Sequence, residues 1–139
     1  MVKVKEGLLL SKEQQAEKWK TYSILIDALK NEGRSFSRTN LNWYTLKYPN
    51  KKNEVSRALK ARQDLIFNLE GFIIITAQKY VKNGIEVEDL IQVGREATIY
   101  ALSKYDDSQN TKFSSYAAMW VRSKIAETVK KNPLIPVPA

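Results

Sequence analysis

From Ser11 to Lys131 the apolar side chains recur at intervals of three and four residues, and sustained alternation is absent. That period gathers them on one side of a helix and predicts an all-α chain folded as a compact helical bundle. Ser11 opens the first helix, whose apolar face is Trp19, Tyr22, Ile26 and Leu29 and whose stop signal is Gly33. Pro49-Asn50 then separates two short helices, expected at about 39–47 and 52–62. From Asn53 the pattern runs on through Leu65, Leu69, Phe72, Ile73, Thr76 and Tyr80 with almost no charge after Glu70, which predicts a central buried helix. Gly71 inside it costs about 1 kcal/mol relative to alanine and is expected to permit a close crossing or a kink. After an Asn83-Gly84 turn, residues 86–104 form the next helix, with Glu86, Glu88 and Asp89 where the macrodipole favours negative charge. Its buried stripe is Val87, Leu90, Ile91, Gly94, Ala97, Ala101 and Leu102. A polar loop from Asp106 to Lys112 leads to the last helix, predicted to start at Ser114 as N-cap with Phe113 just outside as a staple. Ala117, Val121, Ile125 and Thr128 are its burying side, and three prolines in 133–138 forbid helix beyond it.

Two faces are left over once burial is satisfied. On the last helix Tyr116, Met119, Trp120 and Ser123 share a side with Arg122 and Lys124, and Lys130 and Lys131 follow. Flat rings stack on bases and cations neutralise phosphates, so this side suits unpaired nucleic acid. The plainer alternative is that Trp120 caps a neighbouring helix beside a solvated lysine face. On helix 86–104, Ile99 and Tyr100 project with Asp89, Gln92, Glu96 and Ser103. Apolar groups set among acids suggest a partner site, against the alternative of a solvated acidic surface.

Charge sharpens the first reading and adds a second partner. The net charge is +8, which favours a polyanion. Residues 1–61 carry 13 basic and 6 acidic side chains, residues 86–107 sum to −4 and residues 108–139 to +4. An acidic block between basic zones gains nothing from DNA alone, which points to a basic protein surface as well. The 34–60 stretch concentrates Arg34, Arg38, Lys47, Lys51, Lys52, Arg57 and Lys60 against Glu54, with Phe36, Trp43, Tyr44 and Tyr48 interleaved. It reads equally as an additional DNA-contacting surface or as an insertion packing its rings on the core. Without cysteine or histidine, thiolate chemistry, imidazole bases and the usual zinc sets are excluded, and no cofactor is expected. A carboxylate nuclease would have only Asp106-Asp107 and Glu86, Glu88 and Asp89 to work with, and acids at helix and loop starts are usually caps. No run of about twenty apolar residues exists, and Leu8-Leu9-Leu10 is too short for a signal peptide, so the protein is expected to stay in the cytoplasm where it is made.

The strings Asp-Leu-Ile-Gln-Val-Gly (89–94), Ala-Leu-Ser-Lys-Tyr-Asp (101–106) and Thr-Lys-Phe-Ser-Ser-Tyr-Ala-Ala-Met-Trp-Val-Arg (111–122) resemble conserved region 2 of the bacterial sigma-70 family of transcription initiation factors. Leu9-Leu10-Ser11-Lys12-Glu13-Gln14 is similar to the start of region 1.2, and Ile135-Pro136-Val137 to the entry to region 3. The resemblance implies three parts: an N-terminal helical segment with a basic insertion (1–61), a region 2-like domain (62–131) and a Pro-rich linker start (132–139). It implies a non-enzymatic factor that binds core RNA polymerase and melts the promoter minus-ten element by capturing the non-template strand.

The polymerase coiled coil of the beta-prime-type subunit would meet Asp89, Gln92, Val93, Arg95, Glu96 and Ile99, where Val93 and Arg95 depart from the family's usual acid and small polar residue. A flipped adenine would meet Thr111, Phe113, Ser115, Tyr116 and Trp120, with Lys112, Arg122 and Lys124 on phosphates. Met119 replaces the first tryptophan of a pair, Thr111 a usual aromatic, and Ser123 and Ala126 stand where the next base pair is read. An altered or relaxed minus-ten preference follows. The family's usual asparagine aligns with Leu69, one residue after Asn68. No helix-turn-helix follows, so the sequence is expected to be either a piece cut after region 2 or a minimal factor that needs a separate protein for upstream contacts. The other reading of the same features is a polymerase-binding regulator, or anti-sigma mimic, that never melts DNA.

Overall fold

A computed structural model describes residues 9–81, 84–109 and 111–131. The expected 132–139 linker and the Asn83 half of the turn lie outside them. Six helices follow one another: α1 (Lys12–Asn31), α2 (Arg38–Lys47), α3 (Lys52–Phe67), α4 (Glu70–Tyr80), α5 (Val87–Lys104) and α6 (Phe113–Lys131), and the described residues contain no strand. The all-α bundle is as the periodicity requires.

Capping chemistry sets the ends of α1. Ser11 Oγ accepts from Gln14 N at 3.1 Å while Gln14 Oε1 accepts from Ser11 N at 2.9 Å, so two orphan donors are satisfied reciprocally. At the other end Gly33, at φ +72°, lets its own N–H reach Lys30 O and the Arg34 N–H reach Leu29 O. This Schellman turn needs a residue without Cβ strain in the left-handed region. Ser37 caps α2 by accepting from Asn40 N at 3.1 Å. The Pro49-Asn50 break is a short 3-10 turn, Pro49–Lys51, that feeds α3 directly.

The long central helix expected from Asn53 to Tyr80 is two helices. Asn68 is buried and its Oδ1 accepts from Leu9 N at 2.6 Å and Leu10 N at 2.9 Å, so the segment before α1 is bound at this point of the chain. Leu69 N turns to Ile66 O, and the regular ladder resumes with Ile73 N on Leu69 O. The break therefore lies at Asn68-Leu69 and not at Gly71, which sits in the first turn of α4. Asn68 acts in the scaffold.

α5 packs along α6, α4 packs on both, and α1 lies along α3. The main core joins Leu65, Leu69 and Ile73 to Leu90, Ala97 and Leu102 of α5 and to Phe113, Ala117, Val121 and Ile125 of α6. A smaller core of Leu25, Leu29, Tyr44, Val55 and Ala58 holds α2 against α1 and α3. Thr98, absent from the predicted α5 stripe, is fully buried because its hydroxyl donates to Gly94 O at 3.0 Å.

Gly94 sets how closely α4 approaches α5. A Cβ there would meet Ile73 Cγ2 at 2.6 Å and Ile125 Cδ1 at 3.4 Å. Gly94→Val should lower stability by about 1–3 kcal/mol through overpacking, seen as a lower urea midpoint at unchanged slope. An unmoved midpoint would mean that the crossing has slack.

Asp64 ties α1 to α3 by accepting from Lys18 at 2.9 Å and Lys60 at 2.7 Å. Hydrogen bonds from Lys60 and Lys18 hold its carboxyl below the usual range. The folded state thus favours the ionised form, so this contribution is complete above the unfolded value near pH 4 and fades as pH falls through the lower folded value. With Asp64 and Lys18 partly exposed and Lys60 largely so, Asp64→Asn should cost about 0.2–1 kcal/mol at neutral pH. Its melting curve should converge with the parent's as pH falls through that lower folded value; a gap independent of pH would assign the loss to packing.

Candidate nucleic-acid interface

The site begins with how α6 is seated. Phe113 is 1% exposed and packs on Tyr105 at 5.4 Å between ring centroids, so the chain must enter the core one residue before the predicted helix start. α6 accordingly begins at Phe113. Ser114 is buried within the first turn and its hydroxyl caps nothing, while its N–H donates to Gln15 Oε1 at 2.9 Å. Gln15, itself buried, donates through Nε2 to Leu10 O at 3.1 Å. A side chain of α1 thus supplies the cap that Ser114 was expected to supply. The assignment of Phe113 to the base pocket is corrected with it, because its ring faces the interior and positions α6 from beneath.

Tyr105 is the hub that sequence reasoning missed. Its ring lies 5.0 Å from Trp19, 5.4 Å from Phe113 and 5.6 Å from Tyr116, and its phenol donates to Thr111 O, closing the loop on itself. Burial pushes that phenol up, with the Asp107 and Asp106 charges adding to it. The available signal was register, since Tyr105 continues the buried stripe four residues after Ala101 and three after Leu102. Within the loop, Asp106 Oδ1 accepts from Ser108 N at 2.9 Å, which holds its carboxyl below the usual range. That is a local turn. Among the described residues no group of three acids could hold a metal ion.

Along the outer edge of α6 the rings continue. Tyr116 and Trp120 are 6.5 Å apart, and Tyr100 of α5 meets Trp120 edge-on at 4.8 Å and 74°. Both α6 rings are half-buried, packed on the core by one side and reaching the surface with the other. Ser115, Met119, Arg122 and Ser123 are exposed beside them, Met119 at 61%, and Thr111, Lys112, Lys124 and Ala126 are partly so. The Arg122 guanidinium lies 5.5 Å from the Phe72 ring centre, and Lys124 is 3.6 Å from Glu127. Apart from Phe113, every predicted nucleic-acid residue reaches the surface. An open cleft of about 1020 Å³ lies between α1 and the end of α5, rimmed by charges of both signs. Tyr116 and Trp120 do not line it.

On α5, Asp89, Gln92, Glu96, Ile99 and Ser103 form one exposed stripe. Two predicted partner residues leave that stripe. Val93 is turned inward and half-buried on the main core, and Arg95 turns to the other side, where it pairs with Glu70 of α4. Tyr100 supports Trp120, so it belongs with the ring cluster instead of the acidic stripe.

Comparison with known proteins finds similarity in the C-terminal half of the chain. The sigma-70 region 2 family profile matches residues 68–133, the span that starts at the Asn68 break and takes in α4, α5 and α6. The chain is 30% identical over 78 residues to RNA polymerase sigma factor SigA1 of Synechococcus elongatus, covering 56% of this chain and 20% of that protein. It is 32% identical over 80 residues to sigma factor SigA of Mycoplasma genitalium (58% and 16%), and 29% identical over 75 residues to principal sigma factor HrdD of Streptomyces griseus (54% and 23%). The aligned part spans about a fifth of the length of these relatives.

Proposed function

We propose, from the match of residues 68–133 to the sigma-70 region 2 family, that the chain is a sigma-type initiation module that docks on core RNA polymerase and captures the unpaired non-template strand of the minus-ten element. Docking uses the α5 stripe of Asp89, Gln92, Glu96 and Ile99, whose acids and single apolar group suit a basic coiled coil. Capture uses the α6 edge. The observation that carries the reading is Trp120, held edge-on by Tyr100 and Tyr116 with part of its ring at the surface. A ring so braced can receive a base without first being ordered.

The chain makes and breaks no bond. Unpairing and unstacking cost a few kcal/mol per step, and stacking at about 1–3 kcal/mol per base, with phosphates met by Lys112 and Arg122, offsets that cost. Thr111 and Met119 present no ring at the edge of the site, and Ala126 has no hydrogen-bonding side chain, which favours a relaxed sequence preference. Promoter selection, base by base, should return a degenerate minus-ten motif.

The test is a shift assay with core polymerase and a single-stranded minus-ten oligonucleotide. The chain should produce a ternary complex, and Asp89→Lys should lower polymerase affinity before it touches strand binding in the assembled complex. One observation favours a second reading: Met119, 61% exposed, presents no π face where a stacking wedge would stand. A polymerase-binding regulator that never melts DNA would bind core enzyme in the same assay and leave the oligonucleotide free.

A further inference from the structure

Residues 34–60, which take in α2 and the first half of α3, lie outside the matched span and carry seven cations against one acid. Its rings are engaged within the fold. Tyr44 is buried, Phe36 lies between Tyr22 at 5.7 Å and the Arg62 guanidinium at 4.6 Å, and Tyr48 donates to Glu32. Trp43 is met by Arg34 at 3.7 Å and by Lys47 at 4.9 Å. Each of these four rings is thus already met by a partner within the fold, Trp43 by two cations although it is only half-buried, which weakens the stacking half of single-strand recognition here.

The cations behave differently. Lys47 pairs with Glu32, Lys51 with Glu54 and Lys60 with Asp64. Arg38, Lys52 and Arg57 are exposed and form no ion pair among the described residues. Around them the exposed side chains are mostly polar, Leu46 excepted, and include Thr39, Asn42, Asn53 and Ser56, which donate to phosphate oxygens as readily as to water. Unpaired cations among mostly neutral polar groups, with the one nearby acid, Glu54, already taken by Lys51, fit a uniform anionic lattice.

We propose that this segment is a second nucleic-acid contact, one that grips the phosphate backbone of double-stranded DNA through Arg38, Lys52 and Arg57 without reading its sequence. The contact is independent of the α6 edge and does not rest on the sigma-type reading. Its consequence is local concentration, since a chain held on duplex by backbone charge samples neighbouring sites before any base is exposed.

The experiment measures binding of the whole chain to a short fluorescent duplex that lacks any promoter element, across a salt series. The slope of log affinity against log salt is about −0.9 per phosphate neutralised, so Arg38→Ser, Lys52→Ser and Arg57→Ser together should flatten it by close to 3. Circular dichroism and melting of this variant should match the parent, because all three side chains are exposed. Its core-dependent capture of a single-stranded minus-ten oligonucleotide should also be retained, which separates this contact from the α6 site. An unchanged slope in the triple variant overturns the proposal. So does equal affinity for polyglutamate of matched charge, which would identify an acidic protein as the partner.

Discussion

Replacing Trp120 with alanine should weaken capture of the unpaired strand by about 1–3 kcal/mol, roughly five- to 150-fold, the contribution of one stacked base. Polymerase binding should stay at the parent level, because the α5 stripe of Asp89, Gln92, Glu96 and Ile99 contains no group that depends on this ring. The loss is specific because Trp120 is only half-buried, with Tyr100 and Tyr116 meeting it through ring edges at 4.8 and 6.5 Å. Truncation removes the platform and leaves Ala117, Val121 and Ile125 to hold α6 in place. Oligonucleotide affinity in the presence of saturating core enzyme reads the effect. Equal losses in strand and polymerase binding would mean that Trp120 is a packing residue alone.

Phe113→Ala should produce the largest change in stability. The side chain is 1% exposed, meets Tyr105 edge-on, and sits where α5, α6 and the loop between them converge. Removing a buried phenylalanine costs about 3–5 kcal/mol, a large part of the 5–15 kcal/mol that holds a typical domain. The urea midpoint should fall steeply, and capture should fall with it, since Tyr116 and Trp120 are carried by the helix that Phe113 seats. Phe113→Leu should recover most of the stability. If Phe113→Ala lost less than about 1 kcal/mol yet abolished capture, the ring would be touching DNA after all.

The elements were legible in the sequence because a three-to-four period records burial directly. Trp19, Tyr22, Ile26 and Leu29 face the cores as read, and Ala117, Val121 and Ile125 lie inside. What could not be read were contacts made by distant residues. The apolar period passes through Leu65, Leu69 and Ile73 without interruption, so the break at Asn68 is visible only from the backbone of Leu9 and Leu10, 59 and 58 residues away. Phe-Ser-Ser reads locally as a staple and a cap, yet the cap is Gln15, 99 residues earlier. Arg95 looked free to tune a partner until α4 brought Glu70 beside it.

The candidate site was legible to a similar depth. Tyr116 and Trp120 stood out because burial of α6 did not need their face. Their bracing by Tyr100 and Tyr105 depends on how α5 and α6 pack, which no local pattern encodes. The rings of the basic segment show the converse, since Phe36, Tyr44 and Tyr48 read equally in sequence as free or as packed and are engaged in the fold.

Photo-crosslinking in the complex with core polymerase tests the central claim most directly. A single-stranded minus-ten oligonucleotide carrying a halogenated base should attach to the tryptic peptide 113–122, the stretch between Lys112 and Arg122 that contains Tyr116 and Trp120. Attachment confined to peptides from α1 or α2, with 113–122 unmodified, would contradict it.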